Sequence, residues 1–65
     1  MRQQELHDLS CEVKRETEKA ILVMNYETGE ELWLPLSQVE KITRYPDGTA
    51  VVTMTKWIAT QKGLL

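Results

Sequence analysis

GEELWLPLSQVE, residues 29–40, is the stretch on which the fold turns. Leu32, Leu34 and Leu36 alternate with Trp33 and Pro35, the period of two that sends successive side chains to opposite faces of a strand. Pro35 has no N–H for a central ladder, so it marks a sheet edge or the strand's end. Leu36 to Glu40 then reads as a tight turn or one 3₁₀ turn. The leucines share one face and Trp33 takes the other, where it either meets a docked element or stands exposed. Residues 33–38 therefore form a stiff corner carrying a large aromatic. Such corners suit recognition, because a rigid aromatic loses little entropy on binding.

On the N-terminal side, ETGE, residues 27–30, is a compact turn with Gly29 available for positive φ. AILVMNY, residues 20–26, is apolar at nearly every position and rich in strand-formers. Both its faces need cover, which predicts a central strand. RETEK, residues 15–19, is a charged connection. Leu9, Cys11 and Val13 alternate with Ser10, Glu12 and Lys14, giving a further strand that starts near Leu9. Residues 1–8 show no period and are expected to be a flexible tail.

On the C-terminal side, KITRY, residues 41–45, resumes as a strand. PDG, residues 46–48, is a hairpin signal: Pro presets φ, Asp bonds locally and Gly takes the left-handed position. TAVVTMT, residues 49–55, returns with Ala50, Val52 and Met54 on one face. Thr55 suits an N-cap, KWIATQK a short helix and Gly63 its C′ position, with Leu64 reaching back to Ile58 or Ala59. So short a helix must dock to exist in water, and Trp57 and Ile58 are its expected anchors. The sum is a mainly β protein. It should be a small five-stranded, strongly bent antiparallel sheet or an SH3-like barrel, with a short C-terminal helix, over a single domain at residues 9–65.

The chain has 65 residues, 10 acids against 8 bases, and one cysteine. At this size only about 60% of the unfolded surface is buried. Ligand pockets of roughly 300–1,000 Å³ leave little room beside such a core, which argues against an enzyme. Cys11 alone allows no intrachain disulfide. No apolar run approaches the roughly 20 residues of a membrane-spanning helix. The expectation is a soluble, cytoplasmic protein.

Three segments, RETEKAILV, GEELWLPLSQVE and DGTAVVTMTKWIATQKGLL, carry a resemblance. The chain resembles, over roughly residues 13–65, small uncharacterised bacterial and phage-encoded proteins. They share a Glu-Thr-Glu-Lys-Ala segment, a Trp-Leu-Pro-x-Ser-Gln segment and a Trp-Leu/Ile-Ala segment ending in Lys-Gly-Leu. No activity attaches to that group, so no site residue is carried over. The resemblance implies a stand-alone module borne by a mobile element. Leu36 stands where the group has Lys, which makes this turn more apolar and favours a protein partner.

Catalytic and metal-binding sets are thin. His7, Asp8 and Cys11 fall close together, but a structural zinc needs four N or S ligands and no second His or Cys exists. Cys11 and His7 could pair as nucleophile and base, yet Cys11 falls on the apolar face of its strand. No cofactor or metal is expected. Charge is uneven: residues 1–31 hold eight acids against four bases, whereas residues 32–65 hold two against four.

The first expectation is a non-enzymatic module that binds a protein through Trp33, Leu36 and Tyr45, with Glu27, Glu30 and Glu31 as an acidic rim. It would be a phage- or mobile-element-encoded inhibitor or adaptor occupying a basic surface of a nucleic-acid-handling partner. The second is a single-stranded nucleic-acid binder using Lys41, Arg44, Tyr45 and Lys56, because aromatics stack bases beside cations that meet phosphates. The third is a self-associating structural protein, such as a homodimer. No membrane partner is expected.

Overall fold

The computed structural model describes residues 5–65. Five strands follow in chain order: β1 (Leu6–Glu16), β2 (Ala20–Asn25), β3 (Glu31–Pro35), β4 (Val39–Arg44) and β5 (Ala50–Thr55). A 3₁₀ turn at Leu36–Gln38 joins β3 to β4, and helix α1 (Lys56–Gln61) ends the chain. The strands form one antiparallel sheet in the order β3-β2-β1-β5-β4. The sheet is open. β3 and β4 are edges rather than partners, so the SH3-like barrel is not closed. The 3₁₀ turn crosses between the two edges, and Pro35 brings no N–H to start a ladder there.

β1 begins at Leu6, not near Leu9: Leu6, His7 and Asp8 pair with Thr55, Met54 and Thr53. The Thr53 hydroxyl donates to Asp8 Oδ1 at 2.6 Å, so polar side chains extend a ladder that an apolar period could not reveal. Residues 1–4 of the expected tail lie outside the described residues.

One face of the sheet carries the core. Leu9, Cys11, Ile21, Val23, Leu34, Ala50, Val52 and Met54 are buried there, closed over by Ile58 and Ala59 of α1. Val13, Leu32, Leu36, Val39, Ile42 and Leu64 pack around them. Two bulges keep this face consistent. Val13 pairs with Val23 but Arg15 with Leu22, so Lys14 is the extra residue and Glu16 is turned to the core side. Val39 pairs with Met54 but Lys41 with Thr53, so Glu40 is the extra residue and Val39 and Ile42 both face inward. Bulges bend the strand that carries them, which supplies curvature to the sheet.

The helix is fixed at both ends. Thr55 Oγ1 accepts from the Ile58 N–H at 3.2 Å and donates to Gln38 Oε1 at 2.9 Å, joining the 3₁₀ turn to the helix start. At the C-terminus the Leu64 N–H donates to the Ala59 carbonyl (2.8 Å) and the Gly63 N–H to the Thr60 carbonyl (3.2 Å), a Schellman motif with Gly63 at φ 74°. Ile58 is an anchor as expected. Trp57 is not: it is 60% exposed. Six residues bury one narrow stripe, the cap sets its phase, and Ile58 and Ala59 fill it.

Candidate protein-binding face

The sheet face opposite the core is the candidate site. Its side chains follow from the register. One row runs Trp33, Leu22, Arg15 across β3, β2 and β1, and the next runs Glu31, Met24, Glu12. Leu22 and Met24 are half-buried and Trp33 is 41% exposed. The apolar reading of β2 demanded cover on both sides. The core supplies it on one side, and on the other only neighbouring side chains do. Leu22 and Met24 were therefore the missed members of the site. Their signal was the unbroken apolar run of residues 20–24, which a half-solvated strand would have interrupted with polar residues.

The backbone of β3 explains Pro35. The Asn25 N–H donates to the Glu30 carbonyl (2.8 Å) and the Leu36 N–H to the Lys19 carbonyl (2.8 Å). In an antiparallel pair the inward-bonding residues alternate. Leu32, Leu34 and Leu36 thus bond to β2, while Glu31, Trp33 and Pro35 turn their backbone groups away from the sheet. Pro35 occupies a position whose N–H would have pointed outward, so the β2–β3 ladder loses nothing by it.

Two turns frame the edges. At Asn25–Glu30 the Glu27 N–H donates to Asn25 Oδ1 (2.9 Å) and the Gly29 N–H to the Asn25 carbonyl (2.7 Å), with Gly29 at φ 76°. This turn lifts Glu27, Glu30 and Glu31 into solvent, and none of the three forms an ion pair among the described residues. At the other end the Thr49 N–H and hydroxyl both donate to Asp47 Oδ1 (2.9 and 2.6 Å). These bonds, the hydroxyl's first, hold the Asp47 carboxyl below its ordinary value.

The expected site residues do not all gather. Trp33 and Glu31 share the outer face of β3, Glu30 follows Asn25 and Leu32 to the other side, and Glu27 lies in the turn, toward His7, Asp8 and Ser10. Tyr45 is 49% exposed and continues the outer-face series of Lys41 and Thr43. It belongs to the β4 edge, at the other end of the strand order from Trp33. Leu36 packs against the core and is half-buried. Of the cationic set, Lys41 shares the outer face with Tyr45, while Arg44 follows Ile42 to the core side and pairs with Glu16. Lys56 pairs with Glu5 at 3.5 Å.

The His7, Asp8 and Cys11 grouping comes apart in three dimensions. Cys11 is fully buried on the core face, and desolvation raises its thiol above the usual value. Asp8 is engaged by Thr53. Among the described residues no three metal-ligating side chains converge, and no helix is long and apolar enough to cross a membrane. No family model, curated protein or solved structure matches this chain.

Proposed function

We propose that this chain is a non-enzymatic binding module that recognises a protein through the outer face of β2 and β3. One observation carries the reading: Trp33 stands exposed beside half-buried Leu22 and Met24, on a face that α1 leaves open. An aromatic with aliphatic neighbours on a paired strand is pre-organised, so binding immobilises little. The three glutamates at its rim favour a basic partner surface. An inhibitor or adaptor that blocks the phosphate-binding surface of a nucleic-acid-handling protein in the cytoplasm fits this charge, and a phage-like or mobile-element origin fits the resemblance.

The test is affinity capture with wild type, Trp33→Ala and, as a control of equal chemistry elsewhere, Trp57→Ala. Wild type and Trp57→Ala should retain a common partner that Trp33→Ala loses. An unchanged partner set with folded Trp33→Ala would sink the reading. Direct binding of single-stranded nucleic acid draws less support, since Arg44 and Lys56 are already paired with carboxylates and Arg44 leaves the face of Lys41 and Tyr45.

A further inference from the structure

We propose that the partner contributes an extended, basic peptide segment that adds to β3 as a sixth strand. This rests on the protein-binding reading above and names the form and chemistry of what is bound.

The backbone comes first. Glu31 and Trp33 each present an outward N–H and C=O, and Pro35 presents an outward C=O alone. Strand addition uses such groups for affinity and alternate side chains for specificity. Only two complete residues are offered, so a short peptide satisfies the edge, and the rest of the binding must come from side chains.

The side chains come second. Residues paired across strands share a face. A peptide residue opposite Trp33 lies beside the indole on the outer face. The residue two positions along lies opposite Glu31, with Glu27 and Glu30 at the adjoining turn. The matching segment carries an apolar or β-branched residue and a Lys or Arg at a spacing of two. Glu31 shares that face and, like Glu27 and Glu30 in the preceding turn, has no ion-pair partner among the described residues, so a cationic side chain there meets unspent negative charge. Lys62 lines the recess beside Glu30 and Glu31 without pairing to either.

The other edge lacks this combination. β4 is bulged at Glu40, carries Lys41 beside the bulge, and has Arg44 tied to Glu16. Bulges and lysines are means by which edges discourage pairing.

The experiment selects a displayed library of random dodecapeptides against the intact protein and synthesises the enriched sequences. The expected peptides are rich in Lys or Arg, with an apolar residue two positions from a basic one. On binding, the amides of Glu31 and Trp33 gain hydrogen-exchange protection, and an alternately N-methylated copy of the peptide fails to bind. Glu31→Pro removes an outward N–H that no internal ladder bond uses, and should weaken binding about tenfold. Glu31→Gln removes charge only and should weaken it about threefold. Protection at Ile42 and Arg44 instead would overturn the proposal, as would equal binding of the N-methylated copy, or enrichment of acidic sequences or of none. If affinity capture still depends on Trp33 while any of these occurs, strand addition fails and the protein-binding reading survives. If capture is indifferent to Trp33, both fall.

Discussion

β3 and β4 end the same sheet on opposite sides, and each leaves a row of backbone groups without a strand beside it. β4 is bulged at Glu40, has Lys41 next to the bulge and sends Arg44 back to Glu16 at the end of β1. β3 has an uninterrupted register with β2 from Glu31 to Pro35, an exposed indole at its middle and carboxylates at its start. One edge is blunted along its length. The other is blunted only at its end, by a proline placed where it breaks no bond within the sheet. In a chain this small an unprotected edge is an aggregation hazard, and this asymmetry is the ground on which strand addition is proposed at β3 and not at β4.

The largest effect should come from the residues that tie each edge to the core. Leu34 is fully buried on β3, whereas Ile42 on β4 is only half-buried. Leu34→Ala should lower unfolding free energy by about 3 kcal/mol, and Ile42→Ala by about 1 kcal/mol, because truncation costs follow burial and the ability of the site to collapse. Urea denaturation of both variants measures the difference. Equal losses would mean that the two edges are held alike and that β3 is not the firmer platform. Marginal stability at this size makes the larger loss enough to unfold much of the population.

Much of this arrangement was legible in the sequence. Period two gave the strands, Thr55 and Gly63 the helix ends, Pro-Asp-Gly the second hairpin, and Pro35 the edge. What was not legible depends on pairing. The bulges at Lys14 and Glu40 leave no local trace, since each is an ordinary charged residue that becomes supernumerary only against its neighbour strand. Glu16 could not be seen to reach Arg44 until the first bulge turned it inward. Trp57 was misread because apolar character alone does not set the phase of a helix of six residues; its cap and its two small-footprint anchors do. The site was half legible. Trp33 and the acidic rim stand out as residue types, whereas the second, uncovered side of β2 needs the register to be visible.

A smaller effect should follow from untying the β4 edge. Both side chains of the Arg44–Glu16 pair are about half exposed, at 51% and 52%. Exposed pairs are worth at most about 1 kcal/mol. Arg44→Ala should therefore lower stability by less than about 1 kcal/mol, with the loss shrinking toward zero near 1 M salt, where screening reaches only a few ångströms. Thermal melts at low and high salt decide it. A loss that salt leaves unchanged would show that Arg44 acts through packing of its stem on the core side, and β4 would then be closed by shape rather than by charge.

The smallest effect separates the two turns by acid. The β2–β3 turn is built on the neutral amide of Asn25, and the β4–β5 turn on the carboxylate of Asp47. The Thr49 hydroxyl and N–H hold the Asp47 carboxyl below its ordinary value. A carboxyl whose folded value is depressed contributes stability that is fully present above its unfolded value and is lost as pH falls through the folded one. Acidification below the ordinary aspartate range should thus loosen the β4–β5 turn, while the Asn25 bonds carry no such dependence. Exchange protection of the Thr49 amide, followed on acidification beside that of Gly29, reads the two turns separately. Thr49 should lose protection with a midpoint below that of free aspartate, and Asp47→Asn, which keeps an oxygen acceptor, should flatten the response. If Thr49 instead loosens at or above the ordinary carboxylate range, or responds identically in Asp47→Asn, the carboxylate is not what closes the turn. The glycine at φ 93° in Gly48 would then have to set the hairpin by backbone geometry alone.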